Sequence, residues 1–545
     1  MAITLANLES KRAHWLLTIE FAGRRFQWGD QTVHIPTEDS ATYPFAPYTS
    51  LTAYEEKLSL FGLSASSPSI SVELHFPYDT DIALLIRQGQ RLAGSPAEIS
   101  VWFEGSNYED REVQLKGQVF GPTWGARGEP VRFTVQPSPM KDAGLILHPS
   151  ARVDFETWPN HATNARGKPY PLILGAPGPY TDPDGTARNT SGSPAYYVDT
   201  TNHIFLIADR PATAAGSTGT LFESDDSSQS FTVAEQDDAL GRPVAILDAS
   251  TPGGLTRSAS NEYWFRWDND GGAPSVDSSS ALPVSASTPH AIIEILMRRS
   301  SLRVDRAQIT SQLRELSSYR LDGAITDPEA TPMGWILDNL TDILPLSVVA
   351  SPAGFRFIPY PFEATTRDVR AALTEGPLLK RLASVRMEGQ DAIENTISVE
   401  YAKRSRTGEY QATAITVGRT AATNAEHPNA YSSSSVSREA NISDRDNGER
   451  SRAITTDIIY AAATAFQVGA WRARAFGFPR TRLRYTAHPR WAFLSAGDVV
   501  TLTDTDLHYA DQIAVVYAKR WGGGQLELEL LILEDPIRGS QPAAP

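Results

Sequence analysis

The sequence predicts a mainly β protein with α+β parts: antiparallel β-barrel modules, a loop-rich β module and a small helical segment. Three observations predict it. Apolar and polar residues alternate over short stretches in the first and last thirds of the chain, the period of a half-buried strand. Helical periodicity is confined to a few segments, concentrated between residues 286 and 375. Pro, Gly, Ser, Thr and Asp accumulate from about 141 to 285, where strand-like pieces stand among turns.

The chain of 545 residues has room for roughly three to four domains. At 41% hydrophobic and 21% charged it reads as soluble globular protein with apolar mass for several cores. The absence of Cys excludes disulfides, Cys-ligated zinc, iron–sulfur clusters and thiol catalysis, and suits a reducing compartment. A net charge of −15 argues against general nucleic-acid binding, which needs a basic surface. No signal peptide is expected, because the start lacks an apolar core and a small-residue cleavage site. The most membrane-like stretch, 458–471, is shorter than the roughly 20 residues a bilayer requires.

Residues 1–140 form the first module. Over 69–76, Ile70, Val72, Leu74 and Phe76 share one face, opposite Ser69, Ser71, Glu73 and His75. Alternation recurs at 99–103, 113–119 and 131–135. A helix capped by Asp79 or Thr80 carries Ile82, Leu85 and Ile86 and ends before Gly89. Strands around one helix predict a small antiparallel barrel or sandwich.

Residues 141–285 are the loop-rich β module, with strand-like pieces at 196–207, 244–247 and 263–267. Residues 286–375 are an α+β helical module. Asp305 caps a helix bearing Ile309, Leu313 and Leu316. Thr331 and Pro332 open a second, whose apolar face runs from Met333 to Leu344 before Pro345 stops it. A hairpin then joins 346–350 to 355–358 through Ser351, Pro352, Ala353 and Gly354.

Residues 376–540 return to β, as a barrel-like module. Ile397, Val399 and Tyr401 alternate with Ser398 and Glu400, and a strand follows at 410–417. Residues 418–454 have almost no large apolar side chains and predict an exposed arm. A helix is expected over about 457–475, with Arg472 and Arg474 near its C-terminal end, where cations suit the dipole. Strands close the chain at 482–485, 499–502, 513–518 and 526–533, the last two joined around the glycines 522–524.

The search for chemistry yields no site. Asp504, Asp506 and His508 would share one face of a continuous strand and so could ligate a metal. A polar loop leaving the strand explains them more simply. Asp268-Asn269-Asp270-Gly271 opens like a calcium loop, but Ala273 and Ser279 stand where the loop needs Gly and Glu. Asp182 and Asp184 fail the same test. Residues 62–66 lack the closing glycine of a nucleophile elbow, and no zincin, P-loop or dinucleotide fingerprint is present. Carboxylate pairs at 55/56, 225/226 and 237/238 read as solvated surface. Tyr263, Trp264 and Trp267 could stack on sugar rings, although alternation more simply puts one Trp in a core and the other at an interface. Arg445, Arg450 and Arg452 read as partner contacts or solvated charge. No catalytic residue, cofactor or metal is assigned.

Four stretches resemble the hub protein at the tip of long-tailed bacteriophage tails, the baseplate hub or tail tip family. They are His14-Trp15-Leu16-Leu17-Thr18-Ile19-Glu20-Phe21 with the barrel after it, the Pro-rich run from Gly167 through Tyr170 to Gly175, the strand Glu394 to Tyr401, and Arg472 to Phe478 followed by Gly497-Asp498-Val499-Val500. Each is short; their order is the stronger signal. The resemblance implies tail-tube-like barrels, two per subunit, in a homotrimer that adapts a hexameric tail tube or distal tail protein to three-fold tip components. It further implies contacts with the tape-measure protein and with a central spike or tail fibres, and DNA only in transit. An acidic lumen would let DNA pass without sticking. The rivals are a carbohydrate-binding tail protein using Tyr263, Trp264 and Trp267, and an envelope-degrading enzyme using unrecognised carboxylates or Asp504, Asp506 and His508.

Overall fold

Alternation builds the N-terminal sheet: over Ile70–Leu74, residues Ile70, Val72 and Leu74 are buried while Ser71 is exposed. In the computed structural model this strand joins a nine-stranded sheet ordered Val33–Pro36, Thr42–Pro47, Arg24–Gly29, Ala13–Phe21, Pro96–Phe103, Glu112–Thr123, Val131–Gln136, Ile70–Leu74 and Ser50–Leu51. The structure describes residues 11–533 apart from 39–41, 48–49, 52–53, 58–69, 75–80, 124–129, 137–143, 211–217, 224–226, 252, 269–286, 301, 303, 305–308, 310–311, 352–353, 361–367, 388–392, 418–449, 478–479 and 523–524. The protein is mainly β, with a closed β-barrel, open sheets and few helices.

Pro96–Phe103 departs from simple alternation, since Ser100 and Trp102 are buried together with Ile99 and Val101. Both of its faces are covered. Trp102 packs with Leu16, Ile35, Phe45 and Tyr108, and its indole donates to the Ser106 carbonyl at 3.0 Å. The helix Asp81–Arg87 ends before Gly89, as expected; Asp79 and Thr80 lie outside the described residues.

The stretch 196–207 is two strands, where the sequence suggested one. Ser193–Asp199 and Ile204–Ala208 pair antiparallel across a tight turn. Asp199 Oδ1 accepts from the Thr201 and Asn202 amides and His203 has φ +58°, a turn geometry the apolar flanks conceal. Together with Thr218–Glu223, Ser228–Asp237, Pro243–Asp248 and Tyr263–Trp267 these strands close a six-stranded barrel around Phe205, Leu221, Phe265 and Trp267. Closure leaves this sheet no free edge.

A large core couples the helices Pro289–Arg299 and Pro332–Asn339 to the hairpin Leu346–Ser351/Gly354–Pro359 and to the three-stranded sheet of Tyr410–Val417, Thr396–Lys403 and Ser451–Thr455. Thr331 caps the second helix, its hydroxyl accepting from the Gly334 amide at 3.3 Å. Of the helix predicted from Asp305, which lies outside the described residues, Leu313–Ser318 is a tighter 3₁₀ turn with Leu313 and Leu316 buried.

Two boundaries in this region need correction. The helix expected from 457 begins at Ala462 and runs to Phe476. The carbonyls of Ile458, Ile459 and Tyr460 accept from the amides of Asp322, Ala402 and Thr181, so they are committed to neighbouring chain and cannot close helical turns. Of the arm expected over 418–454, residues 418–449 lie outside the described residues, and Ser451–Thr455 is an edge strand, parallel to Thr396–Lys403, with only Ile454 buried. An edge strand with one inward residue carries too little alternation to be read as a strand.

The C-terminal sheet is ordered Val369–Thr374, Val499–Asp504, Tyr509–Gly522, Gln525–Ile532, Thr481–Ala487 and Leu379–Met387. Tyr54–Lys57 from the N-terminal region also pairs with Tyr509–Gly522. The two sheets share one core, in which Trp15 meets Trp521 edge-on at 4.8 Å. Buried Lys519 crosses this seam and donates to Gln114 Oε1 at 2.7 Å and to the Ala492 carbonyl.

Candidate functional site

Asp504, Asp506 and His508 do not converge. The strand Val499–Asp504 ends at the first of them, and the chain turns, with His508 at φ +59°. Asp504 is fully buried and committed: it accepts from Arg381 at 2.9 and 3.0 Å, from the Tyr485 hydroxyl at 2.7 Å and from the Leu507 amide at 3.1 Å. Burial works to raise its pKa, but these bonds, one with Glu375 and the Arg381 charge hold it below the ordinary value. Glu375 is correspondingly raised, by desolvation and by its bond to Asp504. The Asp506 side chain is 72% exposed and His508 is exposed. Among the described residues no three His, Cys, Asp or Glu side chains are grouped to hold a metal ion.

The other candidates fall into structural roles. Asp268 pairs with Arg266, and 269–286 lie outside the described residues, as do 62–66 and Asp225 and Asp226. Asp182 pairs with Arg188, and Asp184 accepts from the Thr186 amide inside a turn. Glu55 binds Arg520 through two nitrogens, at 2.9 and 2.8 Å. Asp238 holds Arg242 and the Tyr170 hydroxyl, and burial pushes Tyr170 up to about 12. Arg445 lies outside the described residues, the Arg450 amide donates to Asn395, and Arg452 stands 3.7 Å from Asp342.

No exposed aromatic platform forms at Tyr263, Trp264 and Trp267. Trp267 is fully buried in the barrel core, and Tyr263 donates to Glu223 at 2.9 Å inside it. Burial alone would raise the Glu223 pKa, but bonds from Thr256, Asn261 and Tyr263 bring it down to about 2. Trp264, three residues from Trp267 on one strand, points outward. It reaches a cleft of about 390 Å³ between the barrel and the α/β body, lined also by Tyr196, Lys168, Glu262, Lys403 and Asp457.

Sequence reasoning missed the strongest polar constellation. Arg472 lies on the helix Ala462–Phe476 with its side chain 1% exposed. Its Nε and Nη2 donate to Glu394 at 2.8 and 2.9 Å, and Nη1 donates to the Asp342 carboxylate and carbonyl at 2.7 and 2.9 Å. Trp471 and Phe476 flank the guanidinium at 5.4 and 5.5 Å. A buried fork satisfied on both edges is a lock between elements; it offers no free group for a reaction.

Residues 335–516 match a family model described as a putative phage tail protein. That span runs from the second helix through the Arg472 lock into the C-terminal sheet. No curated protein matches the chain. Among solved structures, the chain is similar to the 43 kDa tail protein of prophage MuSo2 from Shewanella oneidensis, at 10% identity and a TM-score of 0.37, covering 95% of this chain and 98% of that one. It is likewise similar to a tail protein from Neisseria meningitidis, at 9% identity and a TM-score of 0.40, covering 96% and 97%. A chain of the virion of a native gene transfer agent particle is 15% identical, with a TM-score of 0.18 and coverage of 48% and 81%.

Proposed function

We propose that this protein is a structural component of a phage tail, and within the tail the hub at its distal end. On this reading three copies form a ring that adapts the hexameric tail tube or distal tail protein to three-fold tip components. The ring contacts the tape-measure protein above and a central spike or tail fibres below, and DNA crosses it on ejection. The match of 335–516 to a putative phage tail protein family carries the tail reading. The fold is compatible with the finer one: the open sheets end in edge strands such as Val33–Pro36 and Ser451–Thr455, whose backbone groups can pair with a neighbouring chain. The Asp504 network is satisfied internally by Arg381 and the Tyr485 hydroxyl, as expected of a structural lock.

Particles made with an amber codon in this gene are the test. The expected result is heads with absent or defective tails, rescued by the gene in trans, with an antibody to the chain labelling the distal tail. Light scattering after size-exclusion chromatography, alone and with the distal tail protein, should give a trimer. Normal infectious tails lacking the chain would overturn the tail reading, and a monomer in the assembled particle would overturn the hub.

A further inference from the structure

The cleft beside Trp264 has the make-up of a ligand site, and neither the packing of the fold nor the tail role accounts for it. One wall is a single unit: the Asn164 side chain donates to the Asn261 carbonyl, tying the segment that carries Lys168 to the strand start that carries Glu262. Lys168 and Glu262 are both exposed, and among the described residues neither forms an ion pair. On the facing wall, which also carries Arg406, the Lys403 ammonium is neutralised. Lys403 Nζ donates to Asp457 at 2.6 Å and the Tyr410 hydroxyl donates to the same carboxylate at 2.7 Å. The Tyr460 hydroxyl fixes that wall by donating to the Lys403 carbonyl at 2.8 Å. Trp264, largely covered, and the half-buried Tyr196 complete the lining.

We propose that this cleft binds a saccharide. With Arg406, three cations line it against two carboxylates, so the lining is nearly balanced and suits a guest without strong charge. A phosphate or nucleotide would call for a clear cationic excess. A sugar hydroxyl both donates and accepts, matching a wall that, among the described residues, offers an ammonium and a carboxylate held in no ion pair. Trp264 is 8% exposed, so a pyranose ring would touch only the small uncovered part of its indole and the half-buried Tyr196, while its hydroxyls meet these groups. A volume of about 390 Å³ leaves room for a guest of mono- or disaccharide size. The inference stands apart from the assembly role, since a tail component needs no such site.

A glycan array of neutral and acidic bacterial surface sugars, followed by saturation-transfer NMR with maltotriose and diacetylchitobiose, tests it on the full chain. At least one saccharide should bind saturably. Glu262→Gln and Lys168→Met, exposed positions whose replacement leaves the melting temperature unchanged, should each weaken that binding about tenfold, the loss of one good hydrogen bond. Trp264→Phe should weaken it further. No saccharide binding, binding indifferent to both rim variants, or saturable binding of inorganic phosphate or a peptide alone would each overturn the proposal. Tails assembled normally with a protein that binds no sugar would sink this inference alone; sugar binding by a chain absent from particles would sink the tail reading alone.

Discussion

Removing Glu394 from the buried Arg472 fork is the sharpest perturbation the structure offers. Glu394→Ala takes away two of the four bonds to the guanidinium and leaves the cation, 1% exposed, with Asp342 alone. Stranding one member of a buried pair costs about 3–5 kcal/mol. Asp342 keeps the other two bonds but its side chain is 40% exposed, so the low end, about 3 kcal/mol, is expected. Arg472→Met strands the carboxylate instead. Glu394 is 16% exposed and has Arg452 at 4.0 Å, so this loss should be smaller, about 1–2 kcal/mol. The double variant removes both charges and should cost less than the sum of the single losses, with a coupling of about 1–2 kcal/mol. Hydrogen exchange read by mass spectrometry on peptides of 462–476 isolates this helix from the rest of a multi-module chain. A loss of about 3 kcal/mol speeds its slowest amides about a hundredfold where opening is rate-determining by equilibrium. Exchange changed by less than about threefold in Glu394→Ala, or strictly additive losses in the double variant, would refute the claim that the fork holds the helix in place.

Three further outcomes follow from local geometry. His14 is fully buried, with Nδ1 2.8 Å from Asp30 and Nε2 2.9 Å from Glu104; both partners are carboxylates, so the protonated ring donates to each. Burial pulls its pKa down, but the two hydrogen bonds and the two carboxylate charges outweigh this and raise it above 6.5. A raised folded value means the stabilisation is complete below the unfolded value and fades as pH rises through the folded one. The melting gap between wild type and His14→Gln should therefore be widest near pH 5.5, and should narrow once pH passes about 6.5; a gap that widens with pH would contradict this. Gly175 has φ +60°, and a Cβ there would stand 2.0 Å from Asp322 Oδ1, the oxygen that accepts from the Ala176 amide. Gly175→Ala should lose clearly more than the roughly 1–2 kcal/mol of a left-handed alanine alone, which is all that Gly89→Ala, at φ +86° in open space, should lose in urea denaturation. Equal losses would refute the close-approach argument. Finally, EDTA should leave the melting temperature unchanged, because Arg381 and Tyr485 already satisfy Asp504; a drop restored by a divalent cation would reinstate a metal at Asp504.

The strands with one wet face were legible because their period is imposed by burial on a single side, as at Ile70–Leu74 and Thr396–Lys403. The start at Thr331 and Pro332 was equally legible, since capping is settled within one turn of chain. Signals failed where the decision is made by distant chain. Ile458, Ile459 and Tyr460 form an apolar run whose period fits helix or strand, and only the amides of Thr181, Asp322 and Ala402 decide it. Arg472 sits where a cation suits a helix terminus, so the dipole reading absorbed it; its partners are 78 and 130 residues away. Lys168 and Glu262 are ordinary surface residues until the barrel docks, and nothing local marks them. Trp264 and Trp267 were read correctly as opposite faces of one strand, but which face meets solvent depends on barrel closure.

The polar locks fall at the joints between bodies. Lys519 and Gln114 join the N- and C-terminal sheets, Arg472 joins its helix to Glu394 and Asp342, and Asp322 joins the Gly323–Ile325 strand to the turn at Gly175 and Ala176. Apolar surface alone would let these bodies slide, because hydrophobic contact is non-directional. A buried donor has few acceptors within reach, so each lock fixes one register at the cost of desolvation. Such joints trade stability per contact for a fixed relative placement. Replacing Lys519 and Gln114 together by Met and Leu removes both partners of their own bond at once but takes both donors from the buried Ala492 carbonyl, so only a modest fall in melting temperature is expected, from the cost of about 1–3 kcal/mol for one unsatisfied group. The expected loss is of definition at the seam, read as faster exchange in the 96–103 and 112–123 peptides. Unaltered exchange with a raised melting temperature would show that the apolar core alone sets the register, and the argument for polar locks would fail.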